Sequence, residues 1–219
     1  MPINYSQKII FIHIPKCAGT SVERILQIKD EKNFYTEKLT SNILAELALK
    51  NFTDEDYKIC ASKNKQHYTY KELSKILSED ILKNFTKFSI VRNPYDRLVS
   101  VYYFREKSVK LHKNFEDFAK NVLKLNRYTR NWLYDGHLET QSSYLINEEN
   151  NFNSIDKIFK FEKLNECAVF LTEVTGDKNM PHLRKTSNRK PYEEYYTQEL
   201  KEIVYNFYRE DFINFNYSF

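Results

Sequence analysis

Phe11-Ile12-His13-Ile14-Pro15-Lys16-Cys17-Ala18-Gly19-Thr20-Ser21 closes an apolar, β-branched run that begins at Lys8. Such a run reads as a buried strand. Pro15 to Ser21 then reads as a tight turn, and Val22-Glu23-Arg24-Ile25-Leu26 opens a helix with Val22, Ile25 and Leu26 on one face. A strand, a short loop with one lysine and one glycine, and a helix opening on Thr-Ser is the layout of an anion site. Backbone N–H groups at a helix start point at the ligand, and the helix dipole favours negative charge there. The lysine adds a point charge and the hydroxyls add donors. The same residues also fit an ordinary strand-to-helix turn with Thr20 or Ser21 as N-cap. What lies near position 92 bears on that choice.

A chain of 219 residues suits one domain, spanning 1–219, with an ample core. The net charge of +4 and the pI near 8.7 are too weak to argue for nucleic acid, but they suit an anionic small ligand. Mean hydropathy is −0.68, and no apolar run approaches the ~20 residues that span a bilayer. The opening residues lack the basic-then-apolar pattern of a secretory signal. Cys17, Cys60 and Cys167 are widely spaced without metal-type pairing, which points to reduced thiols in a cytoplasmic protein and to no metal. Asn, Lys, Ile, Phe and the 17 Tyr are abundant as an AT-rich coding genome would make them, so the tyrosines are not read as a functional surface.

Further along, Ile43 to Leu49 is a helical patch and Asp56 to Ser62 a short second strand. Thr69 with Glu72 has capping-box spacing before a helix over 70–83. Lys87 to Val91 is a third strand, and Pro94 suits the first turn of the helix that follows. Residues 115–134 are helical in pattern, 137–146 ambiguous, 155–161 a fourth strand, and 164–175 a helix closed by Gly176. A basic loop, 180–191, precedes a last amphipathic helix over 197–211. Strands alternating with helices imply an α/β fold whose central sheet is mostly parallel with helices on both faces. Ligands bind such sheets at the carboxyl ends of the strands. Lys16 and Arg92 both follow a strand end, so both should face one crevice.

Together, two stretches resemble a known family. Phe11 to Ser21 resembles the 5′-phosphosulfate loop of sulfotransferases that use 3′-phosphoadenosine 5′-phosphosulfate (PAPS), in the carbohydrate-modifying branch with uronosyl 2-O-sulfotransferase relatives. Phe88-Ser89-Ile90-Val91-Arg92-Asn93-Pro94-Tyr95-Asp96-Arg97-Leu98-Val99-Ser100 resembles that family's 3′-phosphate motif. Phe161-Glu162, the Thr186-Ser187-Asn188 loop and the aromatic last helix are also similar, the loop only loosely. The resemblance implies a P-loop-like three-layer sandwich, PAPS as co-substrate with PAP as product, no metal, and a hydroxyl acceptor on a glycan or other glycoconjugate. It implies that Lys16, Gly19, Thr20 and Ser21, with the backbone of Cys17 and Ala18, hold the 5′-phosphate. Lys16 would also meet charge developing on the leaving oxygen. Arg92 and Ser100 would hold the 3′-phosphate. In this family lysine and arginine do the charge work that Mg²⁺ does in kinases. The want of a membrane anchor argues against the Golgi arrangement of animal members and for a bacterial cytosolic enzyme.

Transfer to an alcohol needs a base for the hydroxyl proton. His67 is the candidate, since the family's base occupies a comparable histidine after the second strand; a solvent-exposed loop histidine is the plain alternative. His13, at a strand end, suits a packed or cradle-positioning role. His137 and His182 are outside candidates, and His112 reads as surface. Arg97 is read as an ion pair with an acid rather than a phosphate ligand. Gln141 and Tyr144 are candidates for the acceptor side, and Trp132 for the core or its rim. Arg184, Lys185 and Arg189 fit a loop closing over the nucleotide, a contact to an anionic acceptor, or a solvated face. A nucleotide kinase or NTPase would show G-x-x-x-x-G-K-[ST], whereas here the lysine precedes the loop's only glycine. A non-catalytic PAP-binding protein is the other rival.

Overall fold

The computed structural model describes residues 3–26, 67–109, 111–177 and 189–219. Among them one sheet has the strand order β1 (Ile3–Asn4), β2 (Ile9–Ile12), β3 (Thr86–Val91), β4 (Lys157–Lys160). β2, β3 and β4 are parallel, and β1 runs antiparallel to β2. The mostly parallel α/β sheet expected from the alternating pattern is therefore present. β1 was not foreseen, because two residues carry no periodicity to detect. β2 is buried along its whole length and β3 in all but its first residue, which is why both read as continuous apolar runs. Ile12 pairs with Ser89 and Val91 with Lys160, so β2 and β3 release the chain at the same edge of the sheet.

The helices are α1 (Gly19–Ile25), α2 (Tyr70–Ile76), α3 (Glu79–Asn84), α4 (Pro94–Val109) and α5 (Phe115–Val122). They continue with α6 (Arg127–Tyr134), α7 (Gln141–Leu145), α8 (Leu164–Thr175), α9 (Gln198–Phe207) and α10 (Arg209–Asn214). Each of three helices expected from apolar spacing is in fact a pair. Ser78 caps α3 and Asn126 caps α6 by accepting a first-turn N–H, so each starts a new helix inside a run whose spacing carries on unbroken. The last helix breaks at Tyr208. The Thr69–Glu72 capping box, Pro94 at the start of α4 and the left-handed Gly176 cap of α8 stand as read. Neither Thr20 nor Ser21 is an N-cap: α1 starts from Ala18, without a side-chain cap. The strand read at 56–62, the patch at 43–49, Cys60, His182 and the 182–188 stretch with Arg184 and Lys185 lie outside the described residues, as does the Trp132 side chain.

Two apolar clusters form the core. One surrounds β2 and β3, where the Phe11 and Phe88 rings lie 4.9 Å apart. The other joins α4, α5, α9 and α10 through Tyr95, Phe118, Val204 and Phe212. Tyr95 alone touches the rings of Tyr196, Phe212 and Phe219, so many of the aromatic residues serve packing.

Candidate active site

The chain leaves β2 into a loop held in a costly conformation. Lys16 (φ 69°) and Ala18 (φ 64°) both lie in the left-handed region, where a side chain costs about 1–2 kcal/mol. Strain of that kind persists only where surrounding structure enforces it, and it gathers at ligand-binding segments. No acceptor among the described residues takes the backbone N–H of Ala18, Gly19 or Thr20. Gly19 is required for space, because a Cβ there would overlap the His13 ring. Cys17 is packed, with Sγ against the Pro15 carbonyl and Gln141 Oε1. Burial pushes its thiol up to about 11, which leaves it un-ionised and unreactive.

Two arginines from the β3–α4 segment enforce that loop. Arg92 donates Nη1–H to the Lys16 carbonyl at 3.0 Å and Nε–H to Asp96 at 2.7 Å, and its guanidinium lies 4.0 Å over the Phe161 ring. Burial pulls its pKa down to about 10, so it stays charged at neutral pH. Arg97, 1% exposed, pairs with no acid among the described residues. Its guanidinium donates to three carbonyls, those of Pro15 (3.1 Å), Glu139 (2.8 Å) and His137 (3.1 Å). The ion pair expected of Arg97 is thus replaced by a backbone brace, which a planar fork with five donors suits. Ser100, also on α4, is buried, and its hydroxyl has no hydrogen-bond partner among the described residues.

Gln141 is fully buried. Its amide clasps the Arg92 backbone, accepting N–H at 2.8 Å and donating to the carbonyl at 2.8 Å. Tyr144 likewise points inward and donates to the Gly136 carbonyl. Both acceptor-side readings are corrected. Gln141 is itself set by Asp211, whose buried carboxylate accepts the N–H groups of Gln141 and Ser142 at the start of α7. Of Arg184, Lys185 and Arg189, only Arg189 lies within the described residues, and it pairs with Asp96. Asp96 therefore serves Arg92 and Arg189 at once. Burial and the neighbouring Arg92 charge lower Arg189 to about 10.

Three imidazoles complete the neighbourhood. His13 and His67 meet edge to face at 4.5 Å between centroids, and His67 and His137 at 5.4 Å. His137 stacks on Phe104 at 5.2 Å, and Lys16 Nζ lies 4.2 Å from the Phe104 centroid. Lys16 and His67 are thereby joined through Phe104 and His137. His67 donates Nδ1–H to the His13 carbonyl at 3.1 Å, which leaves Nε2 as the acceptor. It is buried, not the exposed loop residue of the plain alternative. No group of three or more His, Cys, Asp or Glu among the described residues is arranged to hold a metal ion.

Burial, then the neighbouring His13, depresses His67 to about 3; burial, then His67, does the same to His137. An unfolded imidazole titrates near ~6.5, so on acidification the unfolded chain takes up these two protons first. The stability that depends on the neutral rings is complete above that pH and is lost as pH falls towards about 3. Two such groups give a slope of up to about 2.7 kcal/mol per pH unit. Urea midpoints measured at pH 7, 5.5 and 4.5 should fall progressively; a flat profile would contradict burial of two neutral rings.

Geometry alone defines an α/β protein with two cationic loops side by side at one edge of a parallel sheet. The sequence profile of the sulfotransferase family matches residues 2–218, and the chain belongs to that family. It is therefore an enzyme that transfers a sulfuryl group from a donor to an acceptor. No curated protein and no solved structure matches it. Among the described residues, no helix is long and apolar enough to cross a membrane.

Sequence reading missed Asp96, Arg97 as a brace, Gln141 as a clasp, and Phe104. Only Asp96 left a signal, four residues after Arg92 at helical spacing.

Proposed function

We propose that this chain, a P-loop-like three-layer sandwich acting in the cytoplasm, moves the sulfuryl group of PAPS to a hydroxyl of a carbohydrate or glycoconjugate. The observation that carries this reading is the 3.0 Å bond from Arg92 Nη1 to the Lys16 carbonyl. It joins the two loops that resemble the family's two phosphate cradles, and PAPS has two separate anionic ends to fill them.

Lys16, Gly19, Thr20 and Ser21, with the backbone of Cys17 and Ala18, hold the 5′ end. The N–H groups of Ala18, Gly19 and Thr20, which no acceptor among the described residues takes, suit that role. Arg92 and Ser100 hold the 3′-phosphate. In the transfer, the bond from sulfur to the phosphate bridging oxygen breaks as the bond to the acceptor oxygen forms. The acceptor proton goes to His67 Nε2, and the Lys16 ammonium meets the charge left on the bridging oxygen. His67 is neutral at pH 7, as a base must be, and a bound polyanion raises its basicity. Phe104, 41% exposed beside Lys16, offers an apolar surface against which an acceptor ring can pack.

Binding and turnover test this reading separately. Adenosine 3′,5′-bisphosphate should bind and ATP–Mg²⁺ should not; the reverse preference would favour a kinase. Arg92→Ala should weaken bisphosphate binding by at least about tenfold, the scale of a lost charge-assisted contact. His67→Ala should spare that binding and abolish transfer to the alcohols and glycans tried. Unchanged turnover in His67→Ala would remove it as the base. A wild type that binds the bisphosphate and transfers nothing would favour the non-catalytic binder.

A further inference from the structure

His13 is a buried group to which the proposed reaction gives no part. Its ring stacks on Phe11 at 5.5 Å and covers Gly19 so closely that a Cβ there would overlap it. Nδ1 lies 2.7 Å from Glu23 Oε1, and both side chains are more than nine-tenths buried. An ionised Glu23 accepts Nδ1–H. Nε2, at the other end of the ring, has no hydrogen-bond partner among the described residues. Of the ring atoms, it is the one nearest the position a Gly19 Cβ would take. It therefore stands over Gly19, whose backbone N–H, like those of its neighbours Ala18 and Thr20, has no acceptor among the described residues. A carboxylate behind an imidazole, with the far nitrogen turned to a loop of open N–H donors, can hold a proton for an anion.

We propose that His13 is a donor-binding residue: with Nδ1–H on Glu23, the doubly protonated ring donates Nε2–H to the 5′ anionic end of the nucleotide. This rests on the PAPS reading above. The titratable groups against the ring are Glu23 from α1 and His67 from the segment before α2, with two cations close along the chain or its contacts, Lys16 three residues on and Arg97 on the Pro15 carbonyl. The cations oppose protonation of His13, while Glu23 and the arriving anion favour it. Binding of a 5′-phosphate therefore draws one proton onto the ring.

Calorimetry in buffers of different ionisation enthalpy tests this with two ligands, adenosine 3′,5′-bisphosphate and adenosine 3′-monophosphate, which lacks the 5′ group. Wild type should take up close to one more proton than His13→Gln on binding the bisphosphate, and no more on binding the monophosphate. The glutamine amide supplies an N–H without titrating, so its bisphosphate affinity should stay within about threefold of wild type. His13→Leu should weaken the bisphosphate by about tenfold to a hundredfold and leave the monophosphate unchanged. Glu23→Gln should lose the same proton uptake, which keeps the test open if His13→Leu does not fold. Equal losses for both nucleotides, or proton uptake that His13→Gln leaves intact, would overturn the assignment. A wild type that binds neither nucleotide fails the PAPS reading itself, and this assignment with it.

Discussion

Replacing Lys16 with alanine should lower sulfuryl transfer by about a hundredfold to a thousandfold, the scale on which a single charge-stabilising group acts in a dry site. The loop should survive the change. Its contact to Arg92 runs through the Lys16 carbonyl, and alanine at φ 69° is no more strained than lysine. What disappears is the ammonium, 4.2 Å from the Phe104 centroid, which no other described residue replaces at that point of the loop. Bisphosphate affinity should fall less than turnover, because the charge on the bridging oxygen is greatest at the transition state. Steady-state rates with a saturating donor, set beside calorimetric affinities, separate the two. Turnover within about threefold of wild type would take Lys16 out of the mechanism.

Arg97→Met should destabilise the fold by about 3–5 kcal/mol. The guanidinium is fully enclosed, and three carbonyls lose their donor when it goes. Each buried acceptor left without a partner costs about 1–3 kcal/mol, against a total stability of about 5–15 kcal/mol. Among the described residues no acid pairs with Arg97 directly, though Asp211 balances its charge from further off. Removing the cation therefore also leaves Asp211 less well balanced. Arg97→Lys should recover only part of the loss, since one ammonium cannot span three carbonyls on two separate segments. Urea unfolding of the three proteins measures this directly; a cost below about 1 kcal/mol would mean that the brace is incidental.

The unequal legibility of the site has a physical cause. Lys16, Gly19 and Arg92 could be read because a strand end followed by a helix fixes their surroundings within a few residues. The same holds for Thr69, Pro94 and Gly176, whose capping and turn chemistry is local. Arg97 could not be read, because its acceptors are backbone carbonyls up to 82 residues away and carbonyls have no sequence. Gln141 was misread for a similar reason, since its clasp on Arg92 spans 49 residues. The split helices went unseen where a capping Ser or Asn interrupted an apolar rhythm that continued beyond it. His13 was read as packed or positioning, and packed it is; the open Nε2 became visible only with Glu23 and Gly19 in place around the ring.

The long reach of these bonds also bears on when the site comes into being. The Lys16 loop is held to Arg92 across 76 residues and to Arg97 across 82. Contacts so distant in the chain must first overcome the entropy of closing large loops, which makes them late events in folding. A partly folded chain with β2 and α1 formed would contain every residue of the phosphosulfate loop and still lack its shape. Donor nucleotide would then bind only the completed fold, and its binding energy would add to the stability of that state alone.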